Sequence, residues 1–198
     1  APMFNTLLVT FGLDVVLTYA AQIAFSSDFR TINPTYSGAN FIWLGATVPI
    51  LRLVAFAIAI GLTILLWLFL GRVPLGRAIR ATAQNLVAAR LYGVEPRRIY
   101  ALTFAIGAAL AGAAGSLYGV VSQLNPYIGT ALTAKSFVIA IIGGLENPLG
   151  VIVGGLVLGL VESMTSLYIG ATYTDVASFG MLVLVLIVRP TGLLGRTA

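Results

Sequence analysis

The chain has 198 residues, of which 59% are hydrophobic and only 9% charged, and its mean hydropathy is +1.02. A soluble domain carries about a quarter of its residues as charged side chains, so an ordinary soluble fold is excluded and an all-α, polytopic membrane protein is expected, one transmembrane domain over residues 1–198. The 11 basic and 6 acidic side chains leave a net charge of +5; arginines that flank apolar runs of spanning length are first a topological signal, so lipid is an expected partner and nucleic acid is not.

With no Cys and no His, thiol chemistry and the usual zinc ligands are unavailable, and no metal site is expected. Ala1-Pro2 lacks an initiator, and Met3 opens directly into an apolar run without the charged start and cleavage site of a signal peptide. This reads as a piece whose upstream part is missing. The first span is expected over Met3–Phe25, long enough for a hydrocarbon core of roughly 30 Å. Asp14 sits near its middle. A carboxylate there must face protein, a water cavity or a partner helix, which fits either a helix contact in a larger bundle or a place on a substrate path. Residues 26–48 are rich in turn formers and are expected as a loop outside the bilayer, with Tyr36 and Trp43 suited to the interface. A second span is expected over Pro49–Leu70, anchored by Arg52 and Trp67.

Gly71–Arg98 is the one long polar interval. It holds six arginines, at 72, 77, 80, 90, 97 and 98, against the single acid Glu95; the basic and acidic residues elsewhere cancel. Inside it Asn85 is a good N-cap, Leu86–Tyr92 suit a helix, and Gly93 supplies the left-handed residue that ends many helices. That is a rod of about 10 Å. Pro96 suits the first turn of a new helix, with Glu95 beside the positive end of its dipole.

The third span, Arg97–Val121, carries Gly107, Gly112, Gly115 and Gly119 among many alanines, a composition that admits close approach of another backbone. Gln123–Gly129 reads as a turn. Ala131–Ile142, with Lys135, is about 12 residues and too short for an untilted crossing, so it is expected as a short, protein-covered helix or a re-entrant segment. Gly143–Gly150 breaks the chain. Leu149–Ile169 follows with two small-xxx-small pairs, Gly150/Gly154 and Gly155/Gly159, and with Glu162. Asp175–Val188 ends at Arg189-Pro190-Thr191-Gly192. About six membrane segments result. Lys135 and Glu162 fall at matching depths if their helices pack antiparallel, so they either pair or Lys135 snorkels outward. If 71–98 is cytoplasmic, Arg72, Arg77, Arg80, Arg90, Arg97, Arg98, Arg189 and Arg196 lie inside and only Arg30 and Arg52 clearly outside, the bias that the positive-inside rule demands.

Five motifs in order, GRAIRATAQNLVAARLYGVEPRRIYALTFAIGAALAGAAGSL, NPYIG, AKSFVIAIIGGL, GGLVLGLVES and RPTGLLG, resemble the permease subunits of bacterial ABC importers for branched-chain amino acids. The resemblance covers essentially the whole chain and is similar to the C-terminal two thirds of such a permease. It implies a bacterial plasma-membrane subunit with no cofactor of its own. The implied partners are a second permease subunit, two cytoplasmic ATPase subunits that bind ATP, and an extracytoplasmic substrate-binding protein. Residues 85–93 resemble the coupling helix that docks in a groove of the ATPase, with Asn85 at a position commonly acidic or amide, Ala88 and Ala89 at small positions and Gly93 at the helix-ending glycine. Arg77 and Arg80 ahead of it and Arg90 within it are expected to join it in contacting the ATPase. Glu146 and Asn147 depart from the smaller residues of many relatives.

A zwitterionic substrate with an apolar side chain needs polar groups at its two ends and an apolar wall between them. Free backbone groups near Asn125, Pro126 and Tyr127, and at Gly143 and Gly144, are candidates, as are the intramembrane charges Asp14, Lys135 and Glu162. Permeases for urea, short amides or sugars, and a structural or channel-like subunit without an ATPase, are the alternatives. An intramembrane enzyme fails on inventory, since there is no His, no Cys and no Gly-x-Ser-x-Gly.

Overall fold

The computed structural model describes residues 3–28, 40–43, 46–145 and 147–194. Eight α-helices follow in order: α1 Met3–Phe25, α2 Ile50–Arg72, α3 Pro74–Gln84, α4 Leu86–Leu91, α5 Pro96–Val121, α6 Ile128–Gly143, α7 Pro148–Tyr168 and α8 Thr174–Val188, with one 3-10 turn, Ala171–Tyr173, before α8. Five helical segments are long and apolar enough to cross a membrane, and α6 is a shorter apolar helix. The chain is thus an all-α polytopic membrane fold. One small exception lies before α2, where Asn40–Trp43 (β1) and Ala46–Pro49 (β2) pair antiparallel in a stretch expected to be loop. Arg30, Tyr36, Glu146 and Arg196 lie outside the described residues.

The best-packed part is α6, α7 and α8. Val138 and Ile142 of α6, Leu158 of α7 and Val185 of α8 form the buried cluster, with Ile139, Met181, Leu182 and Leu193 against it. α6 has 16 residues, longer than the expected 12, because Tyr127 caps it and the helix starts at Ile128. It rises about 24 Å, still short of a ~30 Å core.

Glycine sets how close these segments come. A Cβ on Gly150 would lie 2.2 Å from the Gly143 carbonyl oxygen, and one on Gly154 2.7 Å from that of Ile139. After α8 the chain turns back through Gly192 at φ +82, and Leu193 N–H donates to the Ile142 carbonyl (2.8 Å) and Leu194 N–H to that of Gly143 (3.3 Å). The C-terminal segment thereby satisfies carbonyls that the end of α6 leaves without helical partners. Gly159, of the second small-xxx-small pair, meets nothing within 4 Å.

The remaining helices are more open. α2 packs on α3, α5 and α7, whereas no other helix among the described residues packs extensively along α1. Gly107, Gly112 and Gly115 of α5 have no atom within 4 Å of where a Cβ would stand.

Candidate functional site

Three groups of the expected residues take shape. The first is the polar interval. α3 was not expected, and it converts 11 residues of the basic stretch into an amphipathic helix with Pro74 in its first turn and Gly76 and Thr82 buried. Arg77 and Arg80 are exposed on it. α4 then starts as expected. Asn85 has extended φ/ψ, and its side chain accepts from the Ala88 N–H at 3.0 Å, the N-cap bond to the third helical residue. The C-terminal end closes with Tyr92 N–H to the Ala88 carbonyl, Gly93 N–H to that of Arg90 and Val94 N–H to that of Ala89, and Gly93 has φ +80. Ala89 is buried and seats the helix, while Val87, Leu91 and Tyr92 are 69%, 83% and 89% exposed. Arg90 is exposed and Ala88 half-buried. Glu95 binds Arg98 at 2.6 Å across one turn of an exposed surface.

The second group is the intramembrane charges. Lys135 Nζ lies 3.0 Å from Glu162 Oε1, so the two meet and Lys135 does not simply snorkel. Two members were missed: Asp175 Oδ1 is 3.3 Å from the same ammonium, and the Ser178 hydroxyl, itself buried, donates to Glu162 Oε1 at 2.6 Å with the Thr174 carbonyl 2.8 Å away. The cluster ties α6, α7 and α8 together at the end opposite to the glycine contacts. The sequence held a signal for the missed pair, since Asp175 and Ser178 are three apart at the start of α8 and share a face. Asp14 stands apart, exposed on α1.

The third group is the turn before α6. Asn125 Oδ1 accepts from the Tyr127 N–H at 3.0 Å, and its carbonyl accepts from Ile128 N–H. The Tyr127 hydroxyl donates to Gln22 Oε1 of α1 at 3.0 Å. Together with Pro126 these residues form a tight Asx-type turn. Gly143 and Gly144, in contrast, are buried. The Gly143 carbonyl accepts from Leu194 and the Gly144 N–H donates to Ala140 and Ile141. The expectation of free backbone groups at that glycine pair is corrected: the returning C-terminal segment uses the Gly143 carbonyl, the end of α6 uses the Gly144 N–H, and Asn147 N–H donates to the Gly144 carbonyl.

The chain is similar to the high-affinity branched-chain amino acid transport permease BraD of Pseudomonas aeruginosa, 37% identical over 196 residues that make up 96% of this chain and 64% of the relative. It is similar to LivH of Escherichia coli, 44% identical over 148 residues, 74% of this chain and 47% of the relative, and to LivM of the same organism, 34% identical over 128 residues, 64% and 30%. The chain thus spans about half to two thirds of the length of the first two. No solved structure matches it. Residues 2–186 match the family described as branched-chain amino acid transport system / permease component, and with the polytopic helical fold and the capped helix of its polar interval already in view, the chain belongs to that family.

Proposed function

We propose that the chain is a membrane-spanning subunit of an ABC importer, forming part of the path for branched-chain amino acids and engaging a cytoplasmic ATPase through α4. The observation that carries the reading is the exposure of Val87, Leu91 and Tyr92 on a helix outside the apolar spans, pinned by the Asn85 cap, the buried Ala89 and the Gly93 turn. Large apolar side chains displayed by a rigid knob suit a hydrophobic groove on a soluble partner. Ala88 lets the partner approach, and Arg77, Arg80 and Arg90 supply a basic rim. A knob pinned at both ends moves as a unit with whatever holds it.

The same reading puts residues 71–98 and the C-terminus on the cytoplasmic face, in accord with the arginine bias. A second permease subunit, two ATPases that bind ATP and an extracytoplasmic binding protein complete the assembly, and no covalent chemistry is assigned to this chain. Asp14, Asn125, Pro126, Tyr127, Lys135 and Glu162 are the turn and polar groups proposed along the path. The test is uptake by the assembled importer in proteoliposomes. ATP-driven leucine accumulation, competed by isoleucine and valine, is expected; uptake of urea or a sugar in place of leucine overturns the substrate reading, and equal uptake without the ATPase overturns the coupling.

A further inference from the structure

Two apolar grooves of nearly equal size, about 500 and 510 Å³, lie one after the other between α2 and α5. The first is lined by α2 residues between positions 55 and 66 and has no charged side chain in its wall; Thr63 and Tyr118 are its polar members. The second runs along α2 from Leu62 to Arg72, with Ile106 and Leu110 as its α5 wall. That length of helix rises about 15 Å, half of a ~30 Å hydrocarbon core. The second groove therefore has the depth of one leaflet, and it ends at an arginine.

The fold fixes what stands at that end. α3 is drawn onto the last turns of α2 at Gly76, where a Cβ would lie 2.6 Å from Leu70 Cα, and Phe69 and Val73 on either side of this contact both line the groove. Arg77 N–H donates to the Val73 carbonyl at 3.0 Å, so a second arginine stands one helical turn beyond the groove. α3 itself is amphipathic, with Arg77 and Arg80 exposed and Gly76 and Thr82 buried, and it begins where the apolar span stops, as an interfacial helix does. Among the described residues neither Arg72 nor Arg77 has a carboxylate partner, because Glu95, the single acid of this interval, is taken by Arg98.

These features match an amphiphile. The groove is open sideways, with Leu65 on it 65% exposed, so an occupant enters from the bilayer plane. Methylenes fill the apolar length, and a guanidinium fork pairs with phosphate oxygens at its end. A protein helix laid in the same groove would have to bring a carboxylate of its own to Arg72, whereas a phospholipid carries its phosphate at that depth by construction. Basic pockets between membrane helices are where anionic headgroups bind.

We infer that the α2–α5 groove ending at Arg72 is a binding site for an anionic phospholipid, with one acyl chain in the groove, its phosphate on Arg72 and its net charge favoured by Arg77. The site needs only the polytopic membrane fold and serves whichever leaflet α3 faces, so it stands apart from the importer reading. The first groove, without a charge, takes acyl chains regardless of headgroup.

The test uses the full-length subunit in its native assembly, reconstituted into bilayers of equimolar phosphatidylcholine and phosphatidylglycerol. A trace of one lipid or the other carries a photoreactive diazirine on its acyl chain, and adducts are mapped by peptide mass spectrometry. The phosphatidylglycerol probe is expected to mark residues 62–73 about fivefold more than the phosphatidylcholine probe, the effect of roughly one arginine beside an anionic lipid, while the two mark residues 55–59 equally. Arg72→Gln should bring the ratio at 62–73 to about one. Arg97→Gln makes the same charge change in the same basic interval, about 13 Å along α5 from Ile106, and should leave the ratio as it was. High salt should lower the ratio in the unsubstituted assembly, an arm that depends on no variant folding. Equal marking by the two probes, or a ratio that falls as far with Arg97→Gln as with Arg72→Gln, means diffuse attraction of lipid and overturns the site. A ratio that neither salt nor Arg72→Gln changes overturns the role of the guanidinium. Protection of the groove from both probes means that another protein segment covers it, and overturns the lipid as its occupant.

Discussion

Two glycine-rich regions of this molecule look alike as sequence and behave in opposite ways. Where α6, α7 and the C-terminal segment meet, Gly143, Gly150, Gly154 and Gly192 bring backbone onto backbone, and an added Cβ would stand 2.2–2.7 Å from the nearest backbone atom. Along α5, Gly107, Gly112 and Gly115 meet nothing within 4 Å. A high density of small residues therefore announces a capacity for close approach without saying whether the chain itself supplies what approaches. The α6–α8 half closes on itself, with glycines at one end and a charge cluster at the other. The α1–α5 half keeps Gly76 and Gly119 against its own chain but presents Gly107, Gly112 and Gly115 of α5, its apolar grooves and α4 outward.

The contrast is broken most forcefully at Gly150. A Gly150→Val chain should lose about 3 kcal/mol or more, because the atoms it strikes are backbone on a facing helix and cannot rotate away. Gly112→Val in the same chain should shift stability by less than about 0.5 kcal/mol, since the space is open. Denaturant unfolding of the two variants in detergent micelles makes the comparison, and similar losses would erase the distinction between the halves.

The opposite end of the closed half comes next in size. Lys135→Met leaves Glu162 and Asp175 without their shared cation and should cost about 2 kcal/mol, less than the 3–5 kcal/mol of a fully buried pair, because these side chains keep 33% and, for Glu162, 25% of their exposure. Glu162→Gln should cost a similar amount, and the double variant should recover part of the sum, read from the same unfolding curves. Strict additivity would mean that the two charges do not act together.

A smaller effect belongs to the open half. Gly93→Val forces a β-branched residue to φ +80 and should weaken the α4 turn by roughly 1 kcal/mol or more. Transport should fall with membrane insertion intact, measured as uptake per inserted subunit. Unchanged uptake and unchanged ATPase stimulation would mean that α4 is only a connection.

Much of this was legible because the signals are local. α1 falls on the expected span, α2, α7 and α8 start or end within a residue or two of it, and α4 starts at its expected cap because Asn85 and Gly93 act through bonds to their own neighbours. α3 was missed because its arginines hid the inward face of Leu75, Ile79 and the buried Thr82, although Pro74 marks a helix start. The extra turn of α6 was hidden by Asn125-Pro126-Tyr127, which is a turn that also starts a helix. What local pattern does not contain is rotation. Gly150/Gly154 and Gly155/Gly159 are offset by five residues, or about 140° around α7, and only contact with α6 selects the first pair. Asp175 and Ser178 joined Lys135 and Glu162 through the same unseen choice of faces.

The central claim is that α4 faces a cytoplasmic ATPase. Val87 is 69% exposed on α4 and the chain has no cysteine, so Val87→Cys in the assembled importer offers a single reporter there. A thiol-to-amine cross-linker is expected to join this subunit to the ATPase, while an impermeant thiol reagent applied from the binding-protein side leaves the site unlabelled. Labelling from that side, with no ATPase adduct, would contradict both the orientation and the coupling.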